Sequence, residues 1–146
     1  MPNDNPTLTI LRLSRMLEHR CAGEVSVPQY RVLGLLAGGE VRASQLAARL
    51  AVAKPTMTSV VDGLVERGYV ARDAAVGDRR VVRVSITPDG RAALSAAEQE
   101  LTAILDDVVD RCVDREAVFL ALDDLRKALD ARLAERATPQ TQGSAR

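Results

Sequence analysis

Three observations predict a mainly α chain with a small β component (α+β). Between Val41 and Gly68 the apolar residues recur at three- and four-residue intervals in two short runs, the spacing of paired amphipathic helices. Directly afterwards the pattern changes to alternation, with Val82, Val84 and Ile86 set against Val81, Arg83 and Ser85, which is strand periodicity. Both ends of the chain carry helical leucine stripes longer than one small lobe can cover. The combination describes a winged helix-turn-helix lobe with long N- and C-terminal dimerisation helices. The expected limits are a polar lead-in at 1–6, a dimerisation helix at 7–24, the winged lobe at 25–87, dimerisation helices at 88–136 and a disordered tail at 137–146.

Taken in order, Ile10, Leu13, Leu17 and Cys21 fall on one face of the first helix, and the run AGEVSVP interrupts it. Ser26 then offers an N-cap and Pro28 suits a first helical turn, with Val32, Leu33, Leu35 and Leu36 as core candidates before Gly38-Gly39. Val41 is placed to add a minimal third strand beside the hairpin. In the helix pair, Leu46, Ala47 and Leu50 form the first stripe, with Ser44 as its N-cap. Ala51-Val52-Ala53 connects to a second helix in which Pro55 occupies the first turn. Met57, Val60, Val61, Leu64 and Val65 make its apolar face, Lys54, Thr56, Ser59, Asp62 and Glu66 its outer one, and Gly68 closes it as a C-cap glycine.

The strand runs are Tyr69 to Asp73 and Val81 to Ile86, joined by the polar turn AAVGDRR with Gly77-Asp78 at its tip. Thr87-Pro88 opens a long helix with a hydroxyl cap and a first-turn proline. Leu94, Ala97, Leu101, Ile104 or Leu105, Val108 and Cys112 repeat along it at near-heptad intervals. Asp114 caps a last helix with Val118, Leu122, Leu125, Leu129 and Leu133 along one side. Stripes of this length call for a second copy related by two-fold symmetry, the alternative being an intrachain bundle. The expected dimerisation residues are Ile10, Leu13, Leu17, Leu105, Val108, Val118, Leu122, Leu125 and Leu129.

A chain of 146 residues, 47% hydrophobic and only 2% aromatic, fits a helix-rich soluble protein and argues against reading single strands or RNA by base stacking. The net charge is zero, but its distribution is uneven. Nine basic residues stand against five acidic from Arg42 to Arg91, and six against eleven from Ala92 to Arg136. Only the winged segment is therefore expected to meet phosphate. No apolar run would span a membrane and the N-terminus lacks a cleavable signal pattern, so a cytoplasmic protein with no membrane partner is expected. Two cysteines and one histidine at no ligand spacing give no metal site and no cofactor. With no nucleophile motif and no phosphate loop, no enzyme is expected either.

The runs GDRRVVRVSITPDG, from Gly77 to Gly90, and VVDGLVERGYVARD, from Val60 to Asp73, resemble the MarR family of bacterial transcriptional regulators. The helical pattern matches over about residues 7 to 136. The resemblance implies a homodimer on a pseudo-palindromic operator of double-stranded DNA, usually a repressor, often released by a small molecule or oxidant. It also implies that the first, fifth and sixth helices of the two subunits interleave. Two symmetric recognition helices would read half-sites roughly 10 base pairs apart.

On the recognition helix Lys54 is the expected phosphate contact, and Pro55, Thr56, Thr58 and Ser59 the candidates for base edges. Ser44 and Gln45 on the preceding helix join the DNA-facing set, and Arg72 and Arg83 on the strands are expected phosphate contacts. The resemblance places Arg80 in or near the minor groove, held by a charged hydrogen bond to Asp78, with Arg79 as the alternative. The chain departs from the family pattern at Ala53, where a serine commonly stands, and at Ser59, where an arginine is frequent. Ala53 cannot cap, which leaves the helix start open to a DNA phosphate.

For a small-molecule effector, Arg15, His19 and Arg31 offer an acid a counter-charge, the other reading being ordinary surface residues. A cysteine-based redox-sensing repressor is an alternative, but Cys21 ends the first helix only nine residues before Tyr30, unlike peroxide-sensing relatives. Core packing is expected for both Cys21 and Cys112. A winged-helix protein-interaction module without DNA binding is the remaining alternative, separated from a repressor by the absence of salt-dependent duplex binding.

Overall fold

The computed structural model describes residues 5–20, 23–75 and 78–137. Among them are six helices and three strands: α1 (Pro6–Arg20), α2 (Val27–Ala37), β1 (Val41–Arg42), α3 (Ala43–Arg49), α4 (Lys54–Glu66), β2 (Val70–Ala75), β3 (Asp78–Ile86), α5 (Pro88–Val109) and α6 (Arg115–Ala137). The strands form an antiparallel sheet in the order β1-β3-β2. Val41 pairs with Val84, so the expected minimal third strand is present. The chain divides after Asp106 into two compact units.

Local chemistry sets most boundaries in the first unit. Ser26 caps α2 through a capping box, accepting from the Gln29 amide while the Gln29 side chain accepts from the Ser26 amide. Val32, Leu33 and Leu36 of that helix are buried, and Leu35 packs partly covered beside them. They meet Met57, Val61 and Leu64 of α4 and Val70 and Val84 of the sheet in one core. At the end of α4, Gly68 has φ +72°, and the Gly68 and Tyr69 amides donate to the Val65 and Leu64 carbonyls. This closing motif suits glycine. Thr87 caps α5 through the Gly90 amide, as expected.

Several expectations are corrected. Ser44 is not the N-cap of α3: β1 keeps Arg42 extended, Arg42 takes the cap position without a side-chain bond, and Ser44 lies inside the first turn. The strands run longer than the alternating residues, with Ala75 opposite Asp78, because backbone pairing continues past the part that touches the core. A register irregularity falls between Ala74 and Ala75. Val84 is fully buried whereas Val82 is 38% exposed, since the ladder beyond β1 has only two strands. Cys112 is also corrected. α5 ends at Val109, so Cys112 lies in the connection before α6 and is exposed rather than packed in a core. Cys21 and Gly77 lie outside the described residues.

Of the residues expected at a dimer interface, Leu13, Leu17, Leu105, Val108, Val118 and Leu122 are partly covered, and Ile10, Leu125 and Leu129 are exposed. In the second unit, Asp114 accepts from the Ala117 amide at 3.0 Å and so caps α6 as expected. Its flank carries an ion-pair ladder in which Arg126 bridges Asp123 and Asp130, and Lys127 also reaches Asp123. No described helix is long and apolar enough to cross a membrane.

Candidate nucleic-acid interface

The site is built on α4, whose apolar face is anchored in the core and whose other side is left open. Lys54, Pro55, Thr56, Thr58 and Ser59 are all exposed. Lys54 makes no ion pair with any described residue. Pro55 is the second helical residue, after an N-cap at Ala53 that forms no side-chain bond. The first-turn amides of α4 therefore receive no side-chain cap from Ala53. The Thr58 hydroxyl donates to the Lys54 carbonyl at 3.0 Å, which leaves its oxygen lone pairs available as acceptors. Ser44 and Gln45 on α3 are exposed beside it.

A cleft of about 230 Å³ lies between α3, α4 and β2. Its floor is apolar, from Leu46, Ala47, Met57 and Val61, and its rim carries Ser44, Lys54, Thr58 and Arg72. Strand parity explains the last of these. Val70 and Arg72 share the face of β2 that points at the helices, and Arg72 pairs with the buried Val84. Its guanidinium bonds Asp62 of α4 at 2.6 Å. Arg83, across from Asp73 and Arg42, lies on the opposite face and is held by Glu40. The two arginines expected to contact phosphate thus each pair with a carboxylate. Alternation along β2 puts Arg72 on the face of Val70, the sequence signal for its direction.

The backbone of Asp78, Arg79 and Arg80 opens β3 at the outer end of the hairpin. Their side chains, and with them the expected Asp78–Arg80 bond, lie outside the described residues. The effector candidates do not converge within the first unit. Arg31 borders a cavity of about 290 Å³ together with Leu17, Val27, Tyr30, Leu101, Thr102 and Leu105. Arg15 and His19 line a separate concavity on α1 with Arg12 and Met16. Arg31 also donates at 3.4 Å to the Leu50 carbonyl, at the end of α3.

Two other contacts at the base of the lobe escaped the sequence. The Tyr69 hydroxyl donates to Glu24 at 3.0 Å, and that bond is the main reason its pKa lies above the usual phenol value. Tyr30 is raised as well, first by burial and then by the Glu98 charge. Neither partner is adjacent in sequence to its tyrosine.

A helix pair packed on α2 and the sheet, with an antiparallel hairpin after it and a short third strand, defines a winged helix-turn-helix protein. The model of the MarR family matches residues 24–81 of this chain. It is similar to the HTH-type transcriptional repressor YetL of Bacillus subtilis, 31% identical over 87 residues, which is 57% of this chain and 52% of that one. An HTH-type transcriptional regulator of Mycobacterium tuberculosis is 36% identical over 95 residues, 64% of this chain and 66% of that one. The match thus spans about half the length of the first relative and about two thirds of the second. Among solved structures, the transcriptional regulator BldR from Sulfolobus solfataricus superposes with a TM-score of 0.69 at 26% identity, over 84% of this chain and 90% of that chain. Wild-type MarR from E. coli in its apo form shares the fold, with a TM-score of 0.70 at 20% identity over 86% and 97% of the two chains.

Proposed function

We propose that this protein is a sequence-specific double-stranded DNA-binding regulator of transcription, a repressor that acts as a homodimer on an inverted-repeat operator. The observation that carries this reading is the open N-terminal half of α4, where Lys54, Pro55, Thr56 and Ser59 stand exposed around an uncapped helix start. Lys54 and the first-turn amides of α4 suit phosphate, while Pro55, Thr56, Thr58 and Ser59 suit base edges, thymine methyls among them. Ser44 and Gln45 flank them from α3, and Asp78, Arg79 and Arg80 at the start of β3 supply charge from the wing. The apolar residues left open on α1 and α6 support the homodimer, through Ile10, Leu125 and Leu129.

The cavity beside Arg31 supports release by a small amphipathic acid. Its apolar wall would take the body of such a molecule, and Arg31 its charge. An anion there competes with the Leu50 carbonyl for the guanidinium, which links the cavity to the end of α3.

Selection of bound fragments from genomic DNA, followed by titration of the recovered duplex at several salt concentrations, tests the reading. An inverted repeat bound with an affinity that falls steeply as salt rises is expected. A chain that binds no duplex in a salt-dependent way is an interaction module instead.

A further inference from the structure

We propose that Asp62 and Arg72 are a positioning pair that sets the wing against the recognition helix, with Arg72 acting through Asp62 rather than on DNA. The proposal rests on the duplex-binding reading above. It starts from direction. Arg72 lies on the helix-facing side of β2, and its side chain borders the cleft floored by Met57 and Val61, so the guanidinium reaches α4 at 2.6 Å from Asp62. A side chain so directed holds two elements together.

Charge agrees. A lone carboxylate on a helix that enters a groove is repelled by the phosphates on either side, and Arg72 cancels it. The pair adds no net positive charge, so it releases no counterions when duplex binds. Position agrees as well. Arg72 precedes the register irregularity at Ala74/Ala75, so the orientation fixed at Arg72 carries into the outer hairpin that presents Asp78, Arg79 and Arg80. The opposite face of the sheet has its own brace, Arg83 to Glu40, which ties β3 to the residue before β1. The hairpin is thereby held from both sides.

The two roles for Arg72 give opposite signs for Asp62. The full-length protein and its Arg72→Ala, Asp62→Asn and doubly substituted variants are titrated with the selected operator and with a random duplex across a salt series. The ratio of the two affinities is the readout, because a simple change of charge moves both together. As a positioning pair, each single substitution lowers the ratio about threefold per subunit, so about tenfold for a dimer, and the double variant is no worse than either. The salt slope of random-duplex binding stays as it was in the double variant, which like the intact pair carries no net charge. The proposal is overturned if Arg72→Ala weakens both duplexes alike and reduces the slope by about one per subunit while Asp62→Asn strengthens both. Wild-type protein without salt-dependent duplex binding defeats the underlying reading instead, before any variant is compared.

Discussion

Gly90 lies directly against the backbone of Tyr69: a Cβ on Gly90 would stand 2.0 Å from the Tyr69 carbonyl oxygen and 2.9 Å from its carbonyl carbon. The same junction is tied by the Thr87 amide donating to the Tyr69 carbonyl at 3.0 Å and by the Thr87 hydroxyl donating to Gly68 at 2.7 Å. The first turn of α5 therefore docks at the entry to β2, where the two atoms nearest such a Cβ are backbone and the Ile86 side chain comes next at 3.0 Å. Gly90→Ala should cost at least about 2 kcal/mol, in the upper part of the range for overpacking a buried contact. Chemical denaturation reads this as a lower midpoint at unchanged slope, and an unchanged midpoint would show that the helix start yields freely.

A strained backbone position lies in the connection between α3 and α4. Ala51 has φ +53°, and the Ala51 and Val52 amides donate to the Ala48 and Ala47 carbonyls, the helix-closing pattern that Gly68 completes at the end of α4. Here the position is filled by alanine, whose Cβ opposes that conformation. Ala51→Gly should raise stability by up to about 1 kcal/mol, less what glycine gains in unfolded-state freedom. Thermal unfolding of the two proteins decides it, and a lower melting temperature for the glycine variant would refute the strain.

How far the sequence could be read follows the reach of each interaction. Ser26 with Gln29, Thr87 with Gly90, Asp114 with Ala117 and the turn at Gly68 all close within a few residues, so residue type and spacing suffice to place them. Alternation found the core-facing Val84 but not where the hairpin outruns its support, which left Val82 exposed. Ser44 misled because a pairing residue, Val41, decides where α3 begins. Near-heptad spacing carried the α5 stripe to Cys112, past the point where the helix stops. At the site, the exposed side of α4 was legible from helical periodicity alone. The commitments of Arg72, Arg83 and Arg31 were not, because their partners come from other elements, as with Arg83 and Glu40, 43 residues apart.

The chain has two tyrosines, and both are held above the ordinary phenol value of 10.0, Tyr69 chiefly by its bond to Glu24 and Tyr30 chiefly by burial. Groups raised in the fold add stability that is fully present below their unfolded value and is lost as pH rises through the folded one. The unfolding free energy should therefore fall above about pH 10. Ultraviolet difference titration should show phenolate forming at higher pH in the native than in the denatured protein. Tyr69→Phe should leave one transition and flatten the alkaline decline; coincident native and denatured curves would contradict the Glu24 contact.

On α6 the two kinds of surface invite different outcomes. The ladder of Asp123, Arg126, Lys127 and Asp130 consists of exposed pairs, worth about 0–1 kcal/mol each, so Arg126→Ala should change little. Leu125, Leu129 and Leu133 recur every fourth residue and are 45%, 53% and 48% exposed, a stripe whose burial by a second copy would supply the association energy. A carboxylate in the middle of that stripe has to be desolvated when two copies meet, and nothing in the stripe can pair it. If the proposed homodimer forms through this stripe, Leu129→Glu should therefore convert dimer to monomer in sedimentation, with the helical content of the winged lobe kept. Because two half-sites then bind separately instead of together, operator affinity should fall on the order of a hundredfold. A variant that sediments as wild type and holds the operator as tightly would place the partner surface elsewhere on the chain.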